Sequence, residues 1–68
     1  MSKETQMLEH LRKKMAEQEV SAVNMLSDGS QKDFAEYKYL CGVIQGLRRA
    51  KMEINDLVQR YEGDLDND

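Results

Sequence analysis

A single break divides this chain of 68 residues into two long stretches that both have helical spacing. The break is Ser27-Asp28-Gly29-Ser30, and its glycine suits the left-handed backbone that follows many helix ends. Just after it, either Ser30 with Asp33 or Asp33 with Glu36 could cap a new helix. A helix stop followed at once by a helix start predicts two antiparallel neighbours.

The first stretch predicts an amphipathic helix over about residues 3–26. Ser2 is placed to cap it, because a serine oxygen can accept a hydrogen bond from a free N–H of the first turn. Apolar residues then follow with alternating spacings of three and four, which is the pattern of one buried face. They are Leu8, Leu11, Met15, Ala22 and Met25.

The second stretch predicts one longer helix over about residues 31–62. An apolar seam with the spacing of helices packed along their length runs through it: Leu40, Val43, Leu47, Ala50, Ile54, Leu57 and Tyr61. Phe34 and Tyr37 are expected to close the core near the turn. Gly63 is expected to end the helix, with residues 63–68 as an acidic, mobile tail. The predicted fold is therefore an all-α antiparallel two-helix hairpin over residues 1–62.

Gly42, Gly46 and Ala50 fall four residues apart and form a row along one side of the second helix. A glycine inside a helix costs about 0.5–1 kcal/mol relative to alanine. Two in one row suggest that another helix approaches closely, although the glycines could also simply tolerate exposure. If the row is packed, replacing Gly46 with leucine should destabilise the protein by overpacking.

The apolar residues are too many for two helices to cover. If the chain folds back at residue 30, the first helix ends near Asp56 and leaves Leu57, Val58 and Tyr61 uncovered. A surface of this kind favours aggregation unless a partner covers it. We therefore expect a partner, either a second copy that completes a four-helix bundle or a larger protein. The predicted interaction residues are Leu40, Gly42, Val43, Gly46, Leu47, Ala50, Ile54, Leu57, Val58 and Tyr61.

Six of the ten basic residues form a second candidate site. The fold-back places the two groups at one height: Arg12, Lys13 and Lys14 on the first helix, and Arg48, Arg49 and Lys51 on the second. Such a patch could contact phosphates or an acidic protein. Glutamates one turn away can neutralise it, so a solvated charged face is favoured over an acidic partner, and both over nucleic acid.

Composition argues against several other classes of protein. One cysteine and one histidine offer neither a disulfide nor the usual ligands of a zinc site, so we expect no metal and no cofactor. No catalytic motif or phosphate-binding loop is present, and we expect no enzymatic activity. No apolar run could span or be addressed to a membrane, which predicts a cytoplasmic protein. The net charge of −3 comes from the acidic end of the sequence.

Part of the second helix resembles short helical-hairpin proteins of tailed bacteriophages. The matching pieces are Asp33-Phe34-Ala35-Glu36-Tyr37, then Gly42-Val43-Ile44-Gln45-Gly46-Leu47, then Ala50 with Ile54, within roughly residues 29–58. The resemblance implies a protein of the host cytoplasm or the virion that acts in head assembly through helix–helix contacts with itself or a larger phage protein. The alternative is a small phage regulator or inhibitor that binds a host protein or nucleic acid.

Overall fold

Two helices packed side by side make up the described part of the protein. The computed structural model describes the backbone of residues 2–66 and the side chains of residues 2–61. Helix α1 spans Lys3–Ser27 and helix α2 spans Phe34–Asp66, with no strand among the described residues. The Cα atoms extend over 54 × 14 × 12 Å, so the longer helix sets the length of the whole molecule. The predicted all-α fold is confirmed, and the contacts between the helices fit an antiparallel hairpin.

The first helix begins where the sequence predicts and ends one residue later. The Ser2 hydroxyl accepts a hydrogen bond from the Thr5 amide at 3.1 Å and donates one to the Thr5 hydroxyl at 2.9 Å. At the other end, the Asp28 amide donates to the Asn24 carbonyl, and Gly29 takes a φ of 72°. The Asp28 carboxylate then accepts from the Ser30 amide at 2.9 Å, which shapes the turn. The glycine is needed here because other residues rarely adopt a positive φ.

The second helix begins three residues later than predicted because Asp33, not Ser30, is its cap. The Asp33 carboxylate accepts a hydrogen bond from the Glu36 amide at 2.9 Å. The Glu36 carboxylate in turn accepts from the Lys32 amide at 3.2 Å. This is the second of the two possible caps in the sequence, and it satisfies amides that the start of a helix leaves unpaired.

The second helix also ends later than predicted, at Asp66 instead of Glu62. Gly63 does not end the helical backbone, because a glycine in a helix costs only about 0.5–1 kcal/mol and need not stop it. Residues 63–66 of the predicted acidic tail are therefore helical. Asn67 and Asp68 lie outside the described residues.

The register of the hairpin differs from a symmetric fold-back at residue 30. One groove between the helices is lined by residues from Gln18 to Met25 of α1 and from Tyr39 to Leu47 of α2. A second groove joins Glu4, Met7 and Leu8 to Leu57 and Tyr61. The start of α1 thus lies beside Leu57 and Tyr61, and the prediction that α1 ends near Asp56 is wrong.

The uncovered end of α2 is the one next to the turn. Phe34 is 70% exposed and Tyr37 is 43% exposed, so the expectation that they close the core is wrong. Their rings stack on each other instead, with centroids 6.0 Å apart, and the Lys38 ammonium lies 5.6 Å from the Phe34 ring centre. The six-residue turn and the late cap at Asp33 leave the first turn of α2 beyond the end of α1.

The core of the hairpin is small. Among the described side chains, the buried apolar ones are Ala22, Leu40, Ile44 and Val58. Thr5 is fully buried, and its hydroxyl is satisfied by the Ser2 cap. Burying a leucine, isoleucine or valine stabilises a fold by about 1.5–3 kcal/mol each, so this core supplies little for so long a hairpin. Much apolar surface is left on the outside.

Candidate interaction surface

One long side of the hairpin is rich in apolar side chains, and we call these residues the apolar flank. On α1 its residues recur at spacings close to whole helical turns, so they lie on one face. On α2 it consists of residues of the apolar seam or next to it. Its members are Met7, Leu11, Met25, Tyr39, Val43, Leu47, Ala50, Ile54, Leu57 and Tyr61. Both inter-helix grooves open on this side. Both helices therefore contribute to the flank, and on α1 the polar residues Lys14, Gln18 and Ser21 lie between Leu11 and Met25.

Several large side chains of the apolar flank remain in contact with water. Tyr39 is 69% exposed and Met7 is 66% exposed, while Leu11, Met25, Leu57 and Tyr61 are 43–46% exposed. Single exposed apolar residues are ordinary, but a contiguous row marks an interaction surface in soluble proteins. Tyrosine and methionine are also the residue types enriched in interfaces. The flank thus has a residue composition that is typical of interaction surfaces.

The predicted interaction residues divide between the core and the surface. Leu40 and Val58 are buried within the hairpin, and Val43, Leu47, Ala50 and Ile54 are half-buried along the apolar flank. Leu57 and Tyr61 are the exposed part of the seam. The inner edge of the seam therefore packs against α1. Its outer edge forms part of the apolar flank.

The glycine row faces solvent in the isolated hairpin. A Cβ atom added at Gly42 or Gly46 would meet no atom within 4 Å. The two glycines line an open groove on the outer side of α2, together with Gln45, Arg48 and Arg49. Close packing of α1 against the row is therefore wrong, although the row borders the apolar flank and remains open to another molecule.

Sequence reasoning missed the contribution of α1 to this surface. Met7, Leu11 and Met25 are not among the predicted interaction residues, because the spacing of Leu11 and Met25 favours the core and methionines more often fill a core than contact a partner. The available signal was that Met7 and Leu11 lie four residues apart beside Leu8, which widens the apolar stripe of α1. On α2, the sequence favours Tyr39 as an exposed residue that could contact a partner, because tyrosine is enriched at interfaces, and Tyr39 is 69% exposed.

Glu19 is the polar link between the two helices. Its side chain is only 15% exposed, and it accepts a hydrogen bond from Arg48 Nε at 3.0 Å. The ammonium of Lys51 forms an ion pair with the other carboxylate oxygen. The hydrogen bond from Lys51, followed by that from Arg48, holds the pKa of Glu19 below its usual value. This contact fixes α2 against the middle of α1.

The predicted basic patch is not a single band of free cations. Four of its members pair with glutamates: Arg12 with Glu9 at 2.7 Å, Lys14 with Glu17 at 3.6 Å, and Arg48 and Lys51 with Glu19. Lys13 and Arg49 are exposed. The six side chains also point in different directions, since Lys14 borders a groove with Met7 and Leu11, while Arg49 borders the glycine groove.

Two further kinds of site can be assessed among the described residues: a metal site and a membrane-spanning helix. No three histidine, cysteine, aspartate or glutamate side chains among them come together as a metal site. Within the part of the chain that the structure describes, neither helix has the apolar length needed to cross a bilayer. No protein-family model, curated protein or solved structure matches this chain. The phage resemblance consequently stays a hypothesis.

Proposed function

We propose that this protein has no enzymatic activity and acts by helix–helix association through its apolar flank. The observation that carries the proposal is the exposure of Tyr39, Met7, Leu57 and Tyr61 on one side of the hairpin. A partner that covers the flank removes this apolar surface from water, at about 25 cal/mol per Å² of area. The partner is a second copy, which would complete a four-helix bundle, or a larger protein.

The biological setting that we propose is a tailed bacteriophage, with the protein in the virion or in head assembly within the host cytoplasm. The support is the resemblance of residues 29–58 to short phage proteins together with the docking surface. If the protein is a particle component, quantitative mass spectrometry of purified particles should find it at a fixed ratio to the major capsid protein. Its absence from particles would exclude the virion role.

The docking surface can be tested in the same particles. Replacing Tyr39 and Leu57 together with lysine puts two charges on the apolar flank, while the lysine stems still cover part of α1. We expect this variant to be lost from particles. The matched control, Gln45→Lys with Gln59→Lys, adds the same charge to exposed positions elsewhere on α2 and should be incorporated normally. Equal incorporation of the two variants would contradict docking through the flank.

The alternative function is regulation of a host protein or nucleic acid. The observation that favours it is the glycine groove, where Arg48 and Arg49 border an open surface that an acidic group could approach. In that case, replacing both arginines with alanine should abolish binding, and the affinity for nucleic acid should fall steeply with salt concentration. Binding that is insensitive to salt and to both substitutions would exclude this function.

A further inference from the structure

We propose that the ion pairs of Glu19 select one of two registers of the hairpin, and that loss of the Glu19 charge lets α2 slide along α1 by one helical turn. In this second arrangement, which we call the slid register, Phe34 lies level with the end of α1 and Tyr61 lies beyond its start. The inference is independent of the proposed function, because it concerns the packing of the two helices within one chain. It is carried by the surroundings of Glu19, by the spacing of the core and by the uncovered turn of α2.

Glu19 faces two cations of α2 from a place that water hardly reaches. Its side chain is 15% exposed, and the carboxylate oxygen Oε1 is buried. Arg48 Nε donates a hydrogen bond to Oε2 at 3.0 Å, and the Lys51 ammonium forms an ion pair with Oε1. Because a carboxylate in such a place is stable only when it is paired, Glu19 favours the register that supplies the two cations.

A slide of four residues removes both cations from Glu19. Four residues correspond to about 6 Å of helix and rotate α2 by only about 40°, so the same side of α2 still meets α1. Ile44 and Leu47 then take the places of Arg48 and Lys51. Glu19 would lie unpaired beside apolar side chains, and its charge therefore opposes the slide.

The apolar core opposes the same slide much less. Leu40 takes the place of Ile44, and Ile54 takes the place of Val58, so two of the three buried apolar positions of α2 stay apolar. Apolar exchanges of similar volume are the ones that a core tolerates best. The place of Leu40 receives Glu36, close to the turn. An apolar seam with three-four spacing thus leaves the register open, and polar side chains commonly specify it in packed helices.

The uncovered first turn of α2 favours the slide. Phe34 is 70% exposed and Tyr37 is 43% exposed, because they lie beyond the end of α1. A movement of about 6 Å towards the start of α1 brings both rings alongside its last turn and removes part of their surface from water. At the other end, Tyr61 moves out of the groove that it lines with Met7. Apolar surface is gained at one end and lost at the other, so the charge of Glu19 decides between the registers.

Distances between spin labels on the two helices measure the register. The labels are attached to cysteines that replace Lys13 on α1 and either Ala35 or Gln59 on α2, all exposed positions, in a chain where Cys41→Ala removes the native thiol. The slide carries Ala35 towards Lys13 and Gln59 away from it. The first distance should therefore fall by about 5 Å, and the second should rise by about 5 Å. A general loosening of the hairpin would lengthen both distances.

Glu19→Leu is the decisive variant, because leucine packs well beside Ile44 and Leu47 and needs no cation. We expect the slid register to be its main population, with circular dichroism showing that both helices are retained. Glu17→Leu makes the same change at an exposed position of α1 and should keep both native distances. Native distances in Glu19→Leu, or a lengthening of both, would overturn the proposal.

A charge reversal provides a second test that does not depend on the leucine variant. Exchanging the charges, as Glu19→Lys with Arg48→Glu and Lys51→Glu, restores opposite charges between the helices in the native register. The exchanged chain should therefore give the two native distances. Glu19→Lys alone places three cations together in that register and should give the distances of the slid register. An exchanged chain without the native distances would show that the ion pairs do not select the register.

Discussion

The Glu19 carboxylate connects the two helices because Arg48 and Lys51 of α2 both reach it across the interface. The three charges carry a net charge of +1, and the carboxylate is the partner that both cations share. Its pKa is lowered by the hydrogen bonds from Lys51 and Arg48, in that order. A lowered pKa in the folded chain means that protonation favours the unfolded chain.

The pH dependence of stability should therefore include a contribution from Glu19. The contribution is fully present above the ordinary pKa of 4.5 and is lost as the pH falls through the lower pKa of the folded state. Glu19→Gln should lower Tm at pH 7, and this effect should shrink as the pH falls through the lowered pKa of Glu19, measured by circular dichroism. Glu17→Gln, an exposed control on the same helix, should change Tm by a small amount at both pH values. Equal effects of the two variants at pH 7 would contradict this role.

Gly46 is exposed in the hairpin, so a larger side chain there should not destabilise the fold by overpacking as the sequence suggests. Because a Cβ there would meet nothing within 4 Å, alanine adds no clash and removes the flexibility of glycine in the unfolded chain. We predict that Gly46→Ala stabilises the isolated hairpin by about 0.5–1 kcal/mol. Chemical denaturation at micromolar concentration, with Gly42→Ala as a second case, measures this change. A loss of stability would show that the glycine row is packed within the hairpin.

The helices themselves could be predicted from sequence, but their register could not. The break at residues 27–30 and the three-four spacing on both sides are local signals, and they gave both helices to within a few residues. The register depends on which residue caps α2, and Ser30 and Asp33 offered two caps three residues apart. The observed grooves pair Met25 with Leu40 and Leu8 with Leu57, which shifts α2 by about five residues, or about 7 Å, from a fold-back at residue 30 and moves the uncovered turn to the other end of the hairpin.

The cap of α2 gives a test at the scale of the element. Asp33→Ala removes the acceptor of the Glu36 amide and should destabilise the hairpin by about 0.5–2 kcal/mol. Ser30→Ala is the matched control, because Ser30 does not cap α2 and alanine keeps the backbone amide that donates to Asp28, and it should cost less. Thermal unfolding of the two variants distinguishes the caps. A larger effect at Ser30 would contradict the observed start of α2.

At the scale of the whole molecule, the buried apolar core is small compared with the apolar surface that stays exposed. Buried apolar side chains in the described part are few, whereas the apolar flank extends on α2 from Tyr39 to Tyr61. The same seam serves both, since Leu40 and Val58 face inwards and Leu57 and Tyr61 face outwards. Sequence periodicity revealed the seam, but it could not separate these two roles because they differ by less than one turn of helix.

Association through the flank should make the stability depend on concentration. If folding is coupled to dimerisation, Tm rises with protein concentration by mass action. We predict a rise between 5 μM and 500 μM, followed by circular dichroism, that disappears in Tyr39→Lys with Leu57→Lys. The control Gln45→Lys with Gln59→Lys should keep the rise. A native Tm that is constant over this range would contradict self-association.

The placement of the tyrosines gives the protein an intrinsic optical probe. Two of its three tyrosines, Tyr39 and Tyr61, lie at the two ends of the apolar flank, and the chain has no tryptophan to mask their emission. The third, Tyr37, stacks on Phe34 beside the turn. Covering the flank transfers two phenol rings from water to an apolar environment, so ultraviolet absorbance and fluorescence should follow docking without a label. Tyr37→Phe would remove the background signal from the turn.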